Sequence, residues 1–258
     1  DGLSVNKPVL IYDKPAMRKV VGDDYPLFFK TKDEFRTQLE KIKTMNSFYW
    51  KIDNHDEIKN EYLGELKSLW WNGYENPTPE NSGRAFVHSN PRYFDIFKSI
   101  SKSIRRHLDL LEIDHEKLLI NITKSWVGYA DRDTPQLKTH MHNDSDLSFC
   151  YYITSDETSD KFCFYNPTSW NEPSTGIFEP NEKYRLLKKF NKYNCDSYTV
   201  SPKEGTILIF PSKMQHSTLK RKNIEDRYSL IGDVKLCLKP EYHRYAQSCP
   251  HPNLWLEL

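Results

Sequence analysis

The stretch Thr139-His140-Met141-His142-Asn143-Asp144-Ser145-Asp146-Leu147-Ser148-Phe149-Cys150-Tyr151-Tyr152-Ile153 joins a cluster of polar, chemically active side chains to an apolar run. The run over 147–153 is short and rich in aromatic side chains, which is typical of a buried β-strand. The polar half brings two imidazoles and two carboxylates together between His140 and Asp146. The stretch therefore predicts a buried strand that begins directly after the side chains of a functional site.

The spacing of the polar residues indicates a metal site. His142 and Asp144 lie one side-chain period apart in an extended chain, so both point to the same face. Together with a distant histidine they would form the two-histidine, one-carboxylate set that binds non-haem Fe(II) and leaves coordination positions open. His140 has the same parity as His142, so either can be the first ligand. Choosing His140 pairs it with His142 and leaves Asp144 outside the set.

A second stretch, Glu204 to Thr218, supplies the distant histidine. Its apolar run over 206–210 predicts a buried strand, which ends at a proline and is followed by a short turn that delivers His216. Further on, Arg227 and Ser229 share one face of another predicted strand. A guanidinium that faces into a barrel suits a dicarboxylate, because its planar donors match carboxylate geometry and it stays charged when desolvated.

Composition excludes several classes of protein. Net charge is +1, with 37 basic and 36 acidic residues, and the densest basic clusters, 188–189 and 220–222, are expected to be solvated surface. This balance argues against a nucleic-acid partner. No run reaches the roughly 18 apolar residues that cross a bilayer. Five cysteines without a Cys-x-x-Cys pair argue against a disulfide framework and favour a reducing, cytoplasmic setting.

The order of elements predicts the fold class. Short strands are expected within 1–30, and helices over 31–45, 55–71 and about 90–111; the last carries Phe94, Phe97, Ile100, Leu108 and Leu111 on its apolar face. From about 117 onward, short β-segments at 118–122, 125–129, 147–153, 161–165, 197–200, 206–210 and 228–234 alternate with turns. This pattern predicts a mainly β (α+β) chain, an antiparallel jelly roll with N-terminal helices packed on it. One catalytic domain over 1–258 is expected, with a helical and mixed cover (1–116), a jelly-roll core (117–236) and a tail (237–258).

These motifs resemble those of the Fe(II)/2-oxoglutarate-dependent oxygenases. The likeness is strongest to the putative oxygenase group with a His-x-His segment followed by Leu-Ser and two tyrosines, here 140–142 and 147–152. The segment from Gly205 to His216 and the triplet Arg227-Tyr228-Ser229 also carry it, so that it covers about 118–235. The resemblance implies a double-stranded β-helix, or jelly roll.

The resemblance also implies a site and a reaction. His142, Asp144 and His216 would bind Fe(II), with His140 as the alternative ligand, and Arg227 and Ser229 would hold the distal carboxylate of 2-oxoglutarate. Tyr129, Tyr152 and Asn121 are further candidates for the cosubstrate pocket. Such an enzyme uses O2 to convert 2-oxoglutarate to succinate and CO2, and hydroxylates an unactivated C–H bond of a small-molecule or peptidyl substrate.

Two other functions stay open. The three histidines alone could serve a cupin-like metal enzyme that uses no 2-oxoglutarate, and a jelly roll can also be a non-enzymatic binding module. The segment 166–194 is long enough to be an active-site lid or a surface loop. The substrate and the oligomeric state are not readable from the sequence.

Overall fold

The computed structural model describes residues 11–12, 28–29, 31, 49–70, 82–165, 197–222, 225–242 and 251–252. The chain divides into two compact units, Asp1–Phe48 and Tyr49–Leu258. In the first unit, β1 (Ile11–Tyr12) and β2 (Phe28–Phe29) pair in parallel, which confirms the short strands expected there. The predicted helix over 31–45, apart from its first residue, and the insert over 166–194 lie outside the described residues. The single catalytic domain over 1–258 stays a prediction.

The second unit is built on two antiparallel sheets. The larger has the order β3-β8-β5-β10-β4 and the smaller the order β7-β6-β9. The strands are β3 (Tyr49–Lys51), β4 (Leu118–Ala130), β5 (Leu147–Tyr152), β6 (Phe162–Tyr165), β7 (Ser197–Val200), β8 (Thr206–Pro211), β9 (His216–Thr218) and β10 (Arg227–Leu238). From β4 onward the chain passes repeatedly between the two sheets, and a bridge between His140 and His216 extends the smaller one. This is the double-stranded β-helix, or jelly roll, which confirms the predicted fold class.

The central strand β5 is buried on both of its faces. Leu147, Phe149 and Tyr151 belong to the apolar core that the large sheet shares with the helices. Because side chains alternate along a strand, Ser148 and Tyr152 point to the opposite face, the inside of the jelly roll. Burial on both faces explains why this strand is a continuous apolar run in the sequence.

Helices cover the outer face of the large sheet. They are α1 (His55–Ser68), α2 (Ser82–Ala85) and α3 (Phe94–Leu110), so the helices predicted at 55–71 and near 90–111 are confirmed. Ile96, Ile100 and Ile104 of α3 are almost fully buried in the core, as a four-residue spacing requires. Phe94 and Leu111 are 67% and 49% exposed, so placing them on the buried face was wrong: they lie at the helix ends, outside this stripe. Among the described residues no helix is long and apolar enough to cross a membrane.

Strand β4 corrects a second expectation, because the segments predicted at 118–122 and 125–129 form one strand. Its pairing with β10 shifts register between Asp233 and Val234. The shift inserts one extra residue in β4. As a result, even-numbered residues face the helices before the bulge and odd-numbered residues face them after it. Ile120 and Ile122 pack against the core on one side of the bulge, and Val127 does so on the other.

Gly232 of β10 lies where the large sheet meets the core, and replacing it with alanine is expected to destabilise the protein. A Cβ there would lie 2.5 Å from Cζ of Phe149 and 2.8 Å from the backbone oxygen of Lys124. Such overpacking costs about 1–3 kcal/mol, which lowers the Tm of a domain of this size by several degrees. Thermal unfolding of Gly232→Ala measures it. Gly64→Ala in α1, where nothing lies within 4 Å, is the control and should instead stabilise the helix by about 0.5–1 kcal/mol.

Candidate metal and cosubstrate site

Three histidines come together where β9 meets the segment before β5. Potential ligand atoms of His140, His142 and His216 all lie within 4.8 Å of one another, and this is the one such group of metal-ligating side chains in the described residues. Two antiparallel backbone hydrogen bonds join His140 to His216, at 3.0 and 2.9 Å. The backbone N–H of His142 donates to the oxygen of Ser212, just after β8. Backbone hydrogen bonds therefore hold the three histidines close together.

Each imidazole is fixed by its Nδ1 atom. Nδ1 of His140 lies 2.8 Å from the backbone oxygen of Lys138, and Nδ1 of His216 lies 2.8 Å from that of Met214. A carbonyl oxygen only accepts, so in both rings Nδ1 carries the proton and Nε2 keeps its lone pair. Metal-binding histidines usually donate their second ring nitrogen in this way. Nδ1 of His142 is likewise hydrogen-bonded, to Asp233, so Nε2 is the atom available to a cation in all three rings.

Aromatic side chains make the environment of His216 apolar. Phe162 stacks on its ring at 5.2 Å between centroids, and Phe210 meets it edge-on at 4.8 Å. Burial lowers the pKa of His216 to about 4 and also lowers the pKa of His140. Both imidazoles are therefore neutral at physiological pH, which is the protonation state that binds a metal.

Asp144 is not in this group of mutually close atoms. Its backbone has φ of +62°, in the left-handed region, and its side chain is exposed. The two-residue periodicity that predicted a shared face for His142 and Asp144 assumes an extended chain, and the chain turns at Asp144 instead. The structure brings the alternative ligand His140 to His142 and His216. Assignment of Asp144 as a ligand stays a prediction.

A buried carboxylate lies behind His142. Asp233 of β10 accepts a hydrogen bond from Nδ1 of His142 at 2.5 Å and another from the hydroxyl of Ser148 at 2.9 Å. Ser148 also lies 2.9 Å from the hydroxyl of Ser212. Asp233 was not among the sequence candidates, although it shares its parity with Arg227 and Ser229 on the same strand and therefore faces inward with them.

Arg227, Ser229 and Tyr152 occupy the same inner face of the large sheet. Ser229 is paired directly with Tyr152 across β5 and β10 and is buried, and the guanidinium of Arg227 lies 5.9 Å from the centre of the Tyr152 ring. Burial raises the pKa of Tyr152 well above its ordinary value, so its hydroxyl remains a hydrogen-bond donor. Three of the predicted cosubstrate residues thus lie together.

The guanidinium of Arg227 is part of a buried charge cluster. Asp160, with no exposed side-chain surface, pairs with Arg221 at 2.6 Å and with Arg227 at 3.4 Å. Two guanidinium groups and one carboxylate leave one positive charge in excess. Within the described residues, Nε of Arg227 is buried and has no hydrogen-bond partner. The cluster is therefore suited to an anion with carboxylate geometry.

Arg221 and Asp160 were missed in the sequence. Arg221 lies in the basic run 220–222 that was expected to be solvated surface, and for Arg221 this was wrong because its side chain is only 3% exposed. It also donates to the backbone oxygens of Ala130 and Glu225. Both residues lie outside the strands, so no regular alternation of apolar and polar residues indicated that they are buried.

Two further candidates lie away from the histidines. Tyr129 is on the outer face of the large sheet, where it packs against Trp70 and Tyr228, and its hydroxyl donates to Asp131 and Asp226. Asn121 is exposed on the far side of the β4 bulge. The structure therefore does not bring these two side chains to the inner cluster. Their assignment to the cosubstrate pocket stays a prediction.

The donor set fits a divalent transition metal. Imidazole nitrogens bind such ions at about 2.0–2.1 Å, and three of them with tied Nδ1 atoms leave further coordination positions open. The potential ligand atoms of the three rings lie within 4.8 Å of one another. The inner face can thus bind a cation at one place and an anion at another.

One protein-family model matches part of this chain. Residues 124–233, less than half of the chain, match the model described as putative 2OG-Fe(II) oxygenase. The match confirms the resemblance inferred from the sequence, and the family description names both Fe(II) and 2-oxoglutarate, the predicted cofactor and cosubstrate. No curated protein matches the sequence.

Several solved structures are similar to this chain, each at low sequence identity. The 2-oxoglutarate-dependent epimerase SnoN of nogalamycin biosynthesis is 14% identical, over 80% of this chain and 87% of SnoN, with a TM-score of 0.47. HygX from Streptomyces hygroscopicus with iron bound is 13% identical over 77% and 85%, with a TM-score of 0.41. A prolyl-4-hydroxylase from Pseudomonas putida is 10% identical over 72% and 83%, with a TM-score of 0.37. At this level of similarity none of them indicates a reaction or a substrate for this chain.

Proposed function

We propose that this protein is an Fe(II)- and 2-oxoglutarate-dependent dioxygenase whose iron is held by His140, His142 and His216. The observation that carries the proposal is the presence of three close imidazoles, two of them with Nδ1 bonded to backbone oxygens, together with a buried arginine whose Nε has no hydrogen-bond partner among the described residues. The first feature suits a divalent metal, and the second suits a carboxylate that binds inside the jelly roll.

The excess positive charge around Asp160 supports the cosubstrate assignment. Arg227 would bind the distal carboxylate of 2-oxoglutarate, and that carboxylate would neutralise the charge that Asp160 leaves uncompensated. Ser229 and Tyr152 line the same face and would add hydroxyl donors. When bound, iron and 2-oxoglutarate supply the activation of O2, with release of succinate and CO2. The protein contributes their orientation and an inner surface shielded from water.

We expect hydroxylation of an unactivated C–H bond in a small molecule or a peptidyl side chain. The half-buried Trp126, whose ring stacks on His142 at 6.0 Å, lies close enough to the metal ligands to contact a substrate. A cytoplasmic location also remains a prediction.

The test is a pair of measurements on the full chain. Without oxygen, Fe(II) and 2-oxoglutarate together are expected to give a visible charge-transfer band that neither gives alone. With oxygen and ascorbate, the protein should release succinate slowly, even without its substrate. His216→Ala is the control and should lose both signals. If the wild-type protein binds Fe(II) but shows neither band nor succinate, the 2-oxoglutarate assignment is wrong.

The three-histidine cluster also favours a second candidate, a cupin-like metal enzyme that uses no 2-oxoglutarate. For such an enzyme the metal would bind equally well, and Arg227 would serve only as a structural partner of Asp160. The same experiment separates the two functions. Fe(II) binding that His216→Ala abolishes, without any effect of 2-oxoglutarate, would support the cupin-like enzyme.

A further inference from the structure

Asp233 is a buried carboxylate that lies directly behind His142. It is only 9% exposed, and it accepts hydrogen bonds from His142 and Ser148. Lys124 of β4 lies opposite Asp233 in the pairing of β4 with β10. A buried negative charge surrounded by neutral donors is costly unless a positive charge lies close behind them. A cation bound by the three imidazoles, on the other side of the His142 ring, would supply such a charge.

We propose that Asp233 is a positioning residue of the metal site, which acts on the metal through His142. It holds His142 with Nδ1 protonated and Nε2 directed to the cation, and its charge compensates part of the charge of that cation through the ring. Three neutral imidazoles alone would leave a divalent ion uncompensated. In a two-histidine, one-carboxylate site a carboxylate binds iron directly; here Asp233 would supply its negative charge indirectly, through the ring of His142.

The surroundings of His142 support this special role. His140 and His216 donate to backbone oxygens, whereas only His142 of the three donates to a carboxylate. The hydroxyl of Ser148 donates to Asp233 and lies 2.9 Å from the hydroxyl of Ser212, whose backbone oxygen accepts from the backbone N–H of His142. Both the ring and the backbone of His142 are therefore fixed by the same group of residues. The inference rests on the proposed three-histidine metal site.

The experiment titrates Co(II), used alone as the metal probe, into chelator-treated full-length protein and follows visible absorption. Asp233→Asn keeps an acceptor for His142 and removes the charge. We expect the Co(II) affinity to fall about 10–100-fold, with an altered Co(II) spectrum. The Tm of the metal-free variant should be unchanged or higher, because a buried charge has been removed. A purely structural role predicts the reverse: a lower metal-free Tm with wild-type Co(II) affinity and spectrum, which would overturn the proposal.

Asp146→Asn is the matched control. Asp146 accepts from the backbone of Leu236 and pairs with Lys235, so its replacement can cost stability but should leave the Co(II) affinity unchanged. If Asp233→Asn does not fold, Ser148→Ala removes one hydrogen bond to Asp233 and should lower the affinity several-fold. Unchanged affinity in that variant also counts against the proposal. Co(II) binding needs no 2-oxoglutarate, so absence of succinate in the wild type would contradict the proposed function and leave this test intact.

Discussion

Replacing His140 with alanine is expected to abolish tight metal binding, whereas replacing Asp144 with glycine is expected to preserve it. His140 is joined to His216 by two backbone hydrogen bonds, and its donor atom lies within the group of close ligand atoms. Loss of a residue that only supports a ligand costs 10–100-fold in metal affinity, so loss of one of three ligands should cost at least about 100-fold. Fe(II)-dependent succinate release should fall with it.

Glycine is the appropriate replacement at position 144 because the backbone there has φ of +62°, which glycine adopts without strain. Asp144→Gly therefore removes the carboxylate without disturbing the turn. Co(II) titration and succinate release measure both variants. The opposite result, metal binding that survives His140→Ala and is lost in Asp144→Gly, would show that iron binds to the His142, Asp144 and His216 set predicted from spacing.

Strands of the jelly roll were predictable where the sequence has a continuous apolar run. The runs at 147–153 and 206–210 are apolar because both faces of these strands are buried, so their assignment needed no knowledge of partners. The single strand β4 was not predictable. Its charged and polar residues, Thr123 and Lys124, divide two apolar segments, and only pairing with β10 through a bulge makes them continuous.

The site residues that lie at clearly predicted strands could also be predicted. His216, Arg227 and Ser229 follow or begin clear strands, so their parity gave the face they occupy. The choice between His140 and Asp144 depended on the backbone conformation after His142, and a left-handed residue there is invisible to periodicity. Asp160 lies in a loop, and its burial follows only from contacts distant in sequence with Arg221 and Arg227.

Replacing Arg227 with alanine is expected to weaken 2-oxoglutarate binding strongly while metal binding remains. Removal of a buried guanidinium that pairs with a ligand carboxylate typically costs about 2–5 kcal/mol, so the Kd for 2-oxoglutarate should rise about 30- to 5,000-fold. Arg227 is not among the described contacts of the three histidines, and the Co(II) affinity should therefore stay at the wild-type value. Titration of the visible Fe(II)–2-oxoglutarate band measures the first effect, and Co(II) titration measures the second.

The protein should tolerate this change, because Asp160 keeps its closer partner. Arg221 remains at 2.6 Å from the buried carboxylate, so removal of Arg227, at 3.4 Å, does not leave Asp160 uncompensated. Arg227→Lys keeps the charge but loses the planar pair of donors and should recover only part of the affinity. Arg106→Ala, which breaks an exposed pair with Asp53, is the control and should change neither binding. Wild-type 2-oxoglutarate affinity in Arg227→Ala would instead mean that Arg227 only balances Asp160 and that the cosubstrate carboxylate binds elsewhere.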